Sequence, residues 1–168
     1  MFVLVGSLAP GVDARLRVGS VSRLDKAMRS VVDNVDGALA CAVVDLGSGE
    51  LLGVAHDVPY FTQEYLDAVA AASVQMFRGA TVTHVEDLIA ERRDVPPEHL
   101  VEEVQMTTRR TIHFLMTLPE RPDAAIVLVA DRRSNVGIGW AAIRRAAADV
   151  GPILGGDLDD AGVPHAGG

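Results

Sequence analysis

Ala124-Ala125-Ile126-Val127-Leu128-Val129-Ala130, followed by Ser134-Asn135-Val136-Gly137-Ile138-Gly139-Trp140, decides the fold. The first stretch is an unbroken apolar run of strand length, which reads as a strand covered on both faces. The second is a turn opening a helix. Asn135 is placed to cap it, Gly137 and Gly139 let the backbone pass close to the sheet, and residues 141–150 are amphipathic. Neither stretch brings chemistry with it. No lysine follows the glycines as a phosphate loop requires, and no nucleophile elbow is present.

Working outward, residues 111–118 alternate Ile112, Phe114, Met116 and Leu118 against His113 and Thr117, with Leu115 breaking the rule. Residues 119–123 read as a loop into the central strand. Residues 101–108 set Val104 and Met106 against Glu103, Gln105 and Thr107, the pattern of a polar edge strand. Residues 38–46 form a second doubly covered strand, and Gly47-Ser48-Gly49-Glu50 turns it into a return strand at 51–56. Ahead of these, Ser22 is placed to cap a helix through Val35, with Leu24, Met28, Val31, Val32 and Val35 on one side.

The helix after Thr62 carries an unusual apolar load. Leu66, Val69, Ala70, Ser73 and Phe77 make one face; Tyr65, Ala68, Ala72 and Met76 make much of another. A helix apolar on most of its circumference is buried on most of it. One sheet covers one face, and a second copy of the chain is the simplest cover for the other. Residues 83–89 read as a short helix or turn before Pro96-Pro97. The order is helix, two strands, helix, three strands, helix, which gives an α+β antiparallel sheet with helices on both faces.

The 168 residues are 49% apolar and suit one domain at 21–154. Residues 1–20 read as a tail or an extra edge element, and residues 155–168 as a flexible tail. The apolar start, Met1 to Pro10, lacks a basic n-region and is too short to span a bilayer, so no direct membrane insertion is expected. Acidic residues outnumber basic ones 23 to 15, a net charge of −8, which argues against nucleic acid. Cys41 is the single cysteine; it reads as a small buried hydrophobe in a reducing, cytoplasmic setting. No pair of histidines has the spacing of a helical metal site, and no cofactor is expected. An enzyme would need a site assembled from His56, Asp57 and His113, and nothing local asks for one. The pairs Arg92-Arg93, Arg109-Arg110 and Arg132-Arg133 read first as solvated turns. Trp140 is either a core anchor or an aromatic left partly exposed for a partner.

In this order, the pieces resemble the roadblock/dynein light chain family over residues 22–154. The resemblance lies in Asn34-Val35-Asp36-Gly37-Ala38 closing the first helix, Val43-Val44-Asp45 with Gly49 in the turn, and Glu64 to Ala72 in the alanine-rich helix. Most of all it lies in Asn135-Val136-Gly137 opening the last helix. It implies a non-enzymatic, five-stranded antiparallel sheet sandwiched between one helix and two. It also implies a homodimer in which the second helices pack and the middle strands join. Here that contact takes in Tyr65, Leu66, Val69, Ala72, Ser73 and Met76, with Glu103, Gln105 and Thr107 on the edge strand. Bacterial relatives work with small Ras-like GTPases, so such a GTPase is the expected partner, with Arg109 and Arg110 as its contacts. The alternative expectations are a small-ligand sensor with a pocket near Trp140, or a structural subunit of a larger complex.

Overall fold

The computed structural model describes residues 14–159, with side chains from residue 23 to residue 155. The elements run α1 (Ala14–Asn34), β1 (Ala38–Asp45), β2 (Leu51–His56), α2 (Gln63–Arg78), α3 (Ala80–Arg93), β3 (Glu103–Thr107), β4 (Thr111–Leu118), β5 (Arg121–Asp131) and α4 (Val136–Asp159). The five strands form one antiparallel sheet in the order β2-β1-β5-β4-β3. The 124–130 run is therefore central, with two strands on either side of it.

Strand alternation sorts the side chains into two cores. Cys41, Val43, Ile112, Phe114, Ile126 and Leu128 face α1 and α4. Ala40, Val44, Leu115, Ala125, Val127 and Val129 face α2. Leu115, which looks misplaced if only one face is buried, is the correct residue for a strand buried on both. The layering is α1 and α4, then sheet, then α2, with α3 packed against α2.

Five features differ from the sequence reading. First, α1 begins at Ala14, so Ser22 lies within the helix and is not its cap, and residues 14–20 are helical where a tail or edge element was expected. Residues 1–13 lie outside the described residues. Second, α3 is a full 14-residue helix. Gly79, with extended backbone, breaks it from α2, and Asp94 ends it in the left-handed region. Third, the expected 119–123 loop shrinks to Pro119-Glu120, because Leu118 and Arg121 already pair. Fourth, β3 is shorter than residues 101–108. Fifth, α4 passes through Pro152 to Asp159 where a flexible tail from residue 155 was expected. Val150 and Leu154 are buried in the α1/α4 core and anchor these last turns, while Pro152 itself is exposed. Residues 160–168 lie outside the described residues.

The caps read from the sequence are present. Thr62 Oγ1 accepts the Tyr65 N–H at 3.3 Å, and Asn135 Oδ1 accepts the Ile138 N–H at 3.1 Å. Asp45 Oδ1 accepts the Gly47 and Ser48 N–H groups and so shapes the β1–β2 turn.

Candidate functional site

A five-stranded open sheet has two edges, and this chain treats them differently. At β2, α1 closes the edge. Asp25 Oδ1 accepts the Val54 N–H at 2.9 Å, and Arg29 Nη2 donates to the His56 carbonyl at 3.0 Å. Arg29 is itself held by Asp57 through a 2.6 Å contact from Nη1. The helix lies so close that a Cβ on Gly53 would stand 2.6 Å from Leu24 Cβ. Covering an edge with a helix removes a template for strand addition.

At β3 the edge is bare. The Thr108 N–H donates to the Thr111 carbonyl and the Thr117 N–H to the Glu102 carbonyl. With the register pairing Val104 to Leu115 and Met106 to His113, the hydrogen-bonded pairs are 102/117, 104/115, 106/113 and 108/111. The N–H and C=O groups of Glu103, Gln105 and Thr107 therefore point away from the sheet. No hydrogen bond to these outward groups occurs among the described residues. Side chains of this strand reach toward α4: Arg144 grips the Glu103 carboxylate with bonds of 2.9 and 3.0 Å, and Trp140 Nε1 donates to Gln105 Oε1 at 3.0 Å. The strand is thus held in place while its outer side stays unpaired among the described residues.

The helix residues expected in a partner contact divide. Leu66 and Ser73 are buried inside the protomer, and the Ser73 hydroxyl bonds back to the Val69 carbonyl. They sit on the sheet-facing side of α2 with Ala70 and Phe77, which takes them out of any outer surface. Val69 and Met76 are half-buried, while Tyr65 and Ala72 are exposed, together with Ala68 and Ala71. Exposed apolar surface is also present at Tyr60 and, on α3, at Val85 and Leu88. The sequence reading does not single out these three. Tyr60 lies outside the helical repeat, and the weak amphipathicity of α3 hides the other two.

No catalytic arrangement emerges around the residues an enzyme would have needed. His56 is on β2 and His113 on β4, with β1 and β5 between them. Asp57 is taken by Arg29. His113 is buried beside Thr111 Oγ1 at 2.9 Å, and desolvation holds its pKa below the ordinary value. Burial pushes the Cys41 thiol up to about 12, which makes it a poor nucleophile. Among the described residues no three His, Cys, Asp or Glu side chains come together to hold a metal ion. No helix among them is long and apolar enough to cross a membrane.

Trp140 is half-buried, not free. It meets Phe114 edge-on with centroids 5.4 Å apart, and Arg144 lies over its ring at 5.1 Å. An apolar crevice does exist between sheet and helix, but under α2, lined by Ala40, Val44, Leu51, Phe61 and Leu66. Arg109 and Arg110 sit exposed in the β3–β4 turn.

No family model matches the sequence, and no curated protein matches it. Solved structures do. One is described as MglB with tetrameric arrangement, at 18% identity and TM-score 0.66, covering 90% of this chain and 100% of that one. The roadblock/LC7 domain from Streptomyces avermitilis matches at 18% identity and TM-score 0.56, over 78% of this chain and 97% of that one. The fold is that of a roadblock domain. The gliding protein MglB from Thermus thermophilus shares it, at 17% identity and TM-score 0.65, with 89% and 99% covered. In the roadblock fold of this chain, the outer edge of β3 and the outer stripe of α2 are two surfaces without a partner among the described residues.

Proposed function

We propose that the chain is a non-catalytic homodimeric scaffold that docks a small Ras-like GTPase and tunes its nucleotide cycle. The observation that carries the reading is the asymmetry of the sheet edges. One edge is sealed by Asp25 and Arg29, while the other presents the outward backbone of Glu103, Gln105 and Thr107. A protein that hides one edge and exposes the other is built for strand addition at the second. A second copy of β3 running antiparallel satisfies those groups and brings two α2 stripes, with Tyr65 and Ala72, toward each other. The GTPase follows from the family resemblance, and MglB-like neighbours of the same fold support it. Such a dimer acts by surface complementarity. It binds one arrangement of the GTPase's switch segments better than the other and shifts that population. Arg109 and Arg110 are the proposed contacts. The setting is cytoplasmic.

The test is a pull-down on the immobilised full chain from native lysate, with excess GTP analogue and again with GDP. A small GTPase retained in the GTP state is the expected result. Absence of any nucleotide-dependent partner rejects the GTPase role and leaves a fixed structural subunit.

A further inference from the structure

Two turns meet at one end of the sheet. The Arg132 N–H, after β5, donates to the Arg110 carbonyl, after β3, at 2.8 Å. This single bond sets Arg109-Arg110 beside Arg132-Arg133, and all four side chains are exposed. Among the described residues none of the four guanidinium groups makes an ion pair or a side-chain hydrogen bond. Arg29, Arg78, Arg121 and Arg144 are engaged, on Asp57, the Pro122 carbonyl, Asp45 with Asp123, and Glu103. Arg92, Arg93 and Arg145 are as free as the four among the described residues, but only here do two arginine pairs from separate strands meet. The chain has acid to spare, 23 residues against 15 basic. Yet Asp131, the acid nearest in sequence, spends its Oδ1 on the Arg133 N–H. Four like charges held together, none of them in an ion pair among the described residues, are a local cost. Val136 and Ile138, 41% and 56% exposed, follow at once on the first turn of α4.

We propose that this end face is a docking surface for a protein partner bearing a carboxylate-rich patch around a small apolar contact. Guanidinium forks match carboxylates in paired geometry, and the exposed Val136 and Ile138 on the adjoining first turn of α4 add apolar surface beside them. A phosphate backbone offers nothing to those two side chains. A polyanion, whether nucleic acid or an anionic bilayer, must also approach a chain of net charge −8. A globular protein with one acidic patch touches little beyond this corner, where four arginines outnumber Asp131, and charge further than about 8 Å away is screened at physiological salt. The surface goes beyond the GTPase reading. It adds Arg132, Arg133, Val136 and Ile138 to the contact and fixes the chemistry of the partner, whichever protein that is.

The test titrates a synthetic peptide of repeating Glu-Glu-Leu into isotope-labelled full chain and follows backbone amide shifts. Perturbations confined to residues 108–111 and 131–138, weakening as salt rises, are expected. The combined variant Arg109→Gln, Arg110→Gln, Arg132→Gln, Arg133→Gln should lose at least about tenfold in affinity with an unchanged thermal melt. Arg109→Lys with Arg132→Lys, which keeps charge and removes the forks, should lose less. Perturbations elsewhere, or equal binding by the Gln variant, overturn the proposal. So does tighter binding of duplex DNA or of phosphatidylserine vesicles than of the peptide. None of these outcomes depends on whether a GTPase is recovered.

Discussion

Asp25 and Val54 are 29 residues apart, and the Asp25 carboxylate accepts the Val54 backbone N–H at 2.9 Å. That bond lies between α1 and the outer side of β2, where a further strand would otherwise pair. Asp25→Ala leaves a half-buried N–H without a partner, which costs about 1–3 kcal/mol. A lower urea midpoint is expected, and light scattering at high concentration should show species larger than those of the wild type. An unchanged midpoint would show that water replaces the carboxylate.

On the other edge, the Gln105 N–H points outward. Gln105→Pro therefore removes no bond of the sheet, and proline suits an extended edge position. The side-chain bond to Trp140 is lost, but it is solvent-exposed and worth only about 1 kcal/mol. A folded chain that has stopped self-associating through β3 is the expected result by sedimentation. A dimer of undiminished affinity places the self-contact elsewhere.

Ala72 is exposed on α2, so a charge there meets water in a lone protomer. Ala72→Glu should leave the fold intact and drive the oligomer to monomer, because an unpaired carboxylate in an apolar contact costs several kcal/mol. Leu66→Glu should unfold the chain, since Leu66 is 8% exposed and belongs to the sheet-facing core. If Ala72→Glu and wild type sediment alike, α2 is not the interface.

These variants separate what the sequence shows from what it hides. The apolar run 124–130, the Thr62 and Asn135 caps and the alternating exposure of β3 are local, and period and cap chemistry suffice to read them. The two-faced α2 is equally plain as a pattern, but periodicity does not say which face the sheet takes. Leu66 and Ser73 therefore group with a partner surface in the sequence although they are internal in the fold. The sealing of β2 by Asp25 and Arg29 is out of reach of local patterns, because it joins residues 27–29 positions apart. The juxtaposition of Arg110 and Arg132 is likewise a product of sheet order, not of spacing. In α3, Glu86 stands at a buried position where a hydrophobic residue is expected. It is there to accept the Leu100 N–H at 2.7 Å and meet His99 Nδ1 at 2.9 Å.

Those polar groups give stability a pH dependence of one sign. Desolvation holds His113 below its ordinary 6.5. Burial pushes the Glu86 carboxyl up, but hydrogen bonds from His99 and from the Leu100 and Val101 N–H groups more than offset it, so it lies below its ordinary 4.5. In both cases the unfolded chain binds the proton first. The stability is present above the unfolded value and is lost as pH falls through the folded one. Urea midpoints should begin to fall below pH 6.5, through His113, and fall further below pH 4.5, through Glu86. His113→Gln should remove the first decline and leave the second. A midpoint flat from neutrality down to pH 4.5 would show that His113 is hydrated in solution.

The opening of α4 offers a sharper test of packing. The two glycines of Asn135-Val136-Gly137-Ile138-Gly139 look equivalent in sequence but are not in space. A Cβ on Gly139 would run into the ring of Phe114, including Cε2 at 2.6 Å. That ring is fully buried and braced edge-on by Trp140, so it has nowhere to swing. A Cβ on Gly137 would meet only Asn135 Oδ1, at 3.2 Å, on an exposed turn. Alanine gains up to about 1 kcal/mol over glycine within a helix at either position. At Gly137 nothing large opposes that gain, so Gly137→Ala should be neutral or slightly stabilising. At Gly139 overpacking costs about 1–3 kcal/mol and wins. Gly139→Ala should therefore lower the urea midpoint and shift Trp140 emission, because α4 must lift from β4. Equal midpoints for the two variants would mean that the helix already rides further from Phe114 in solution.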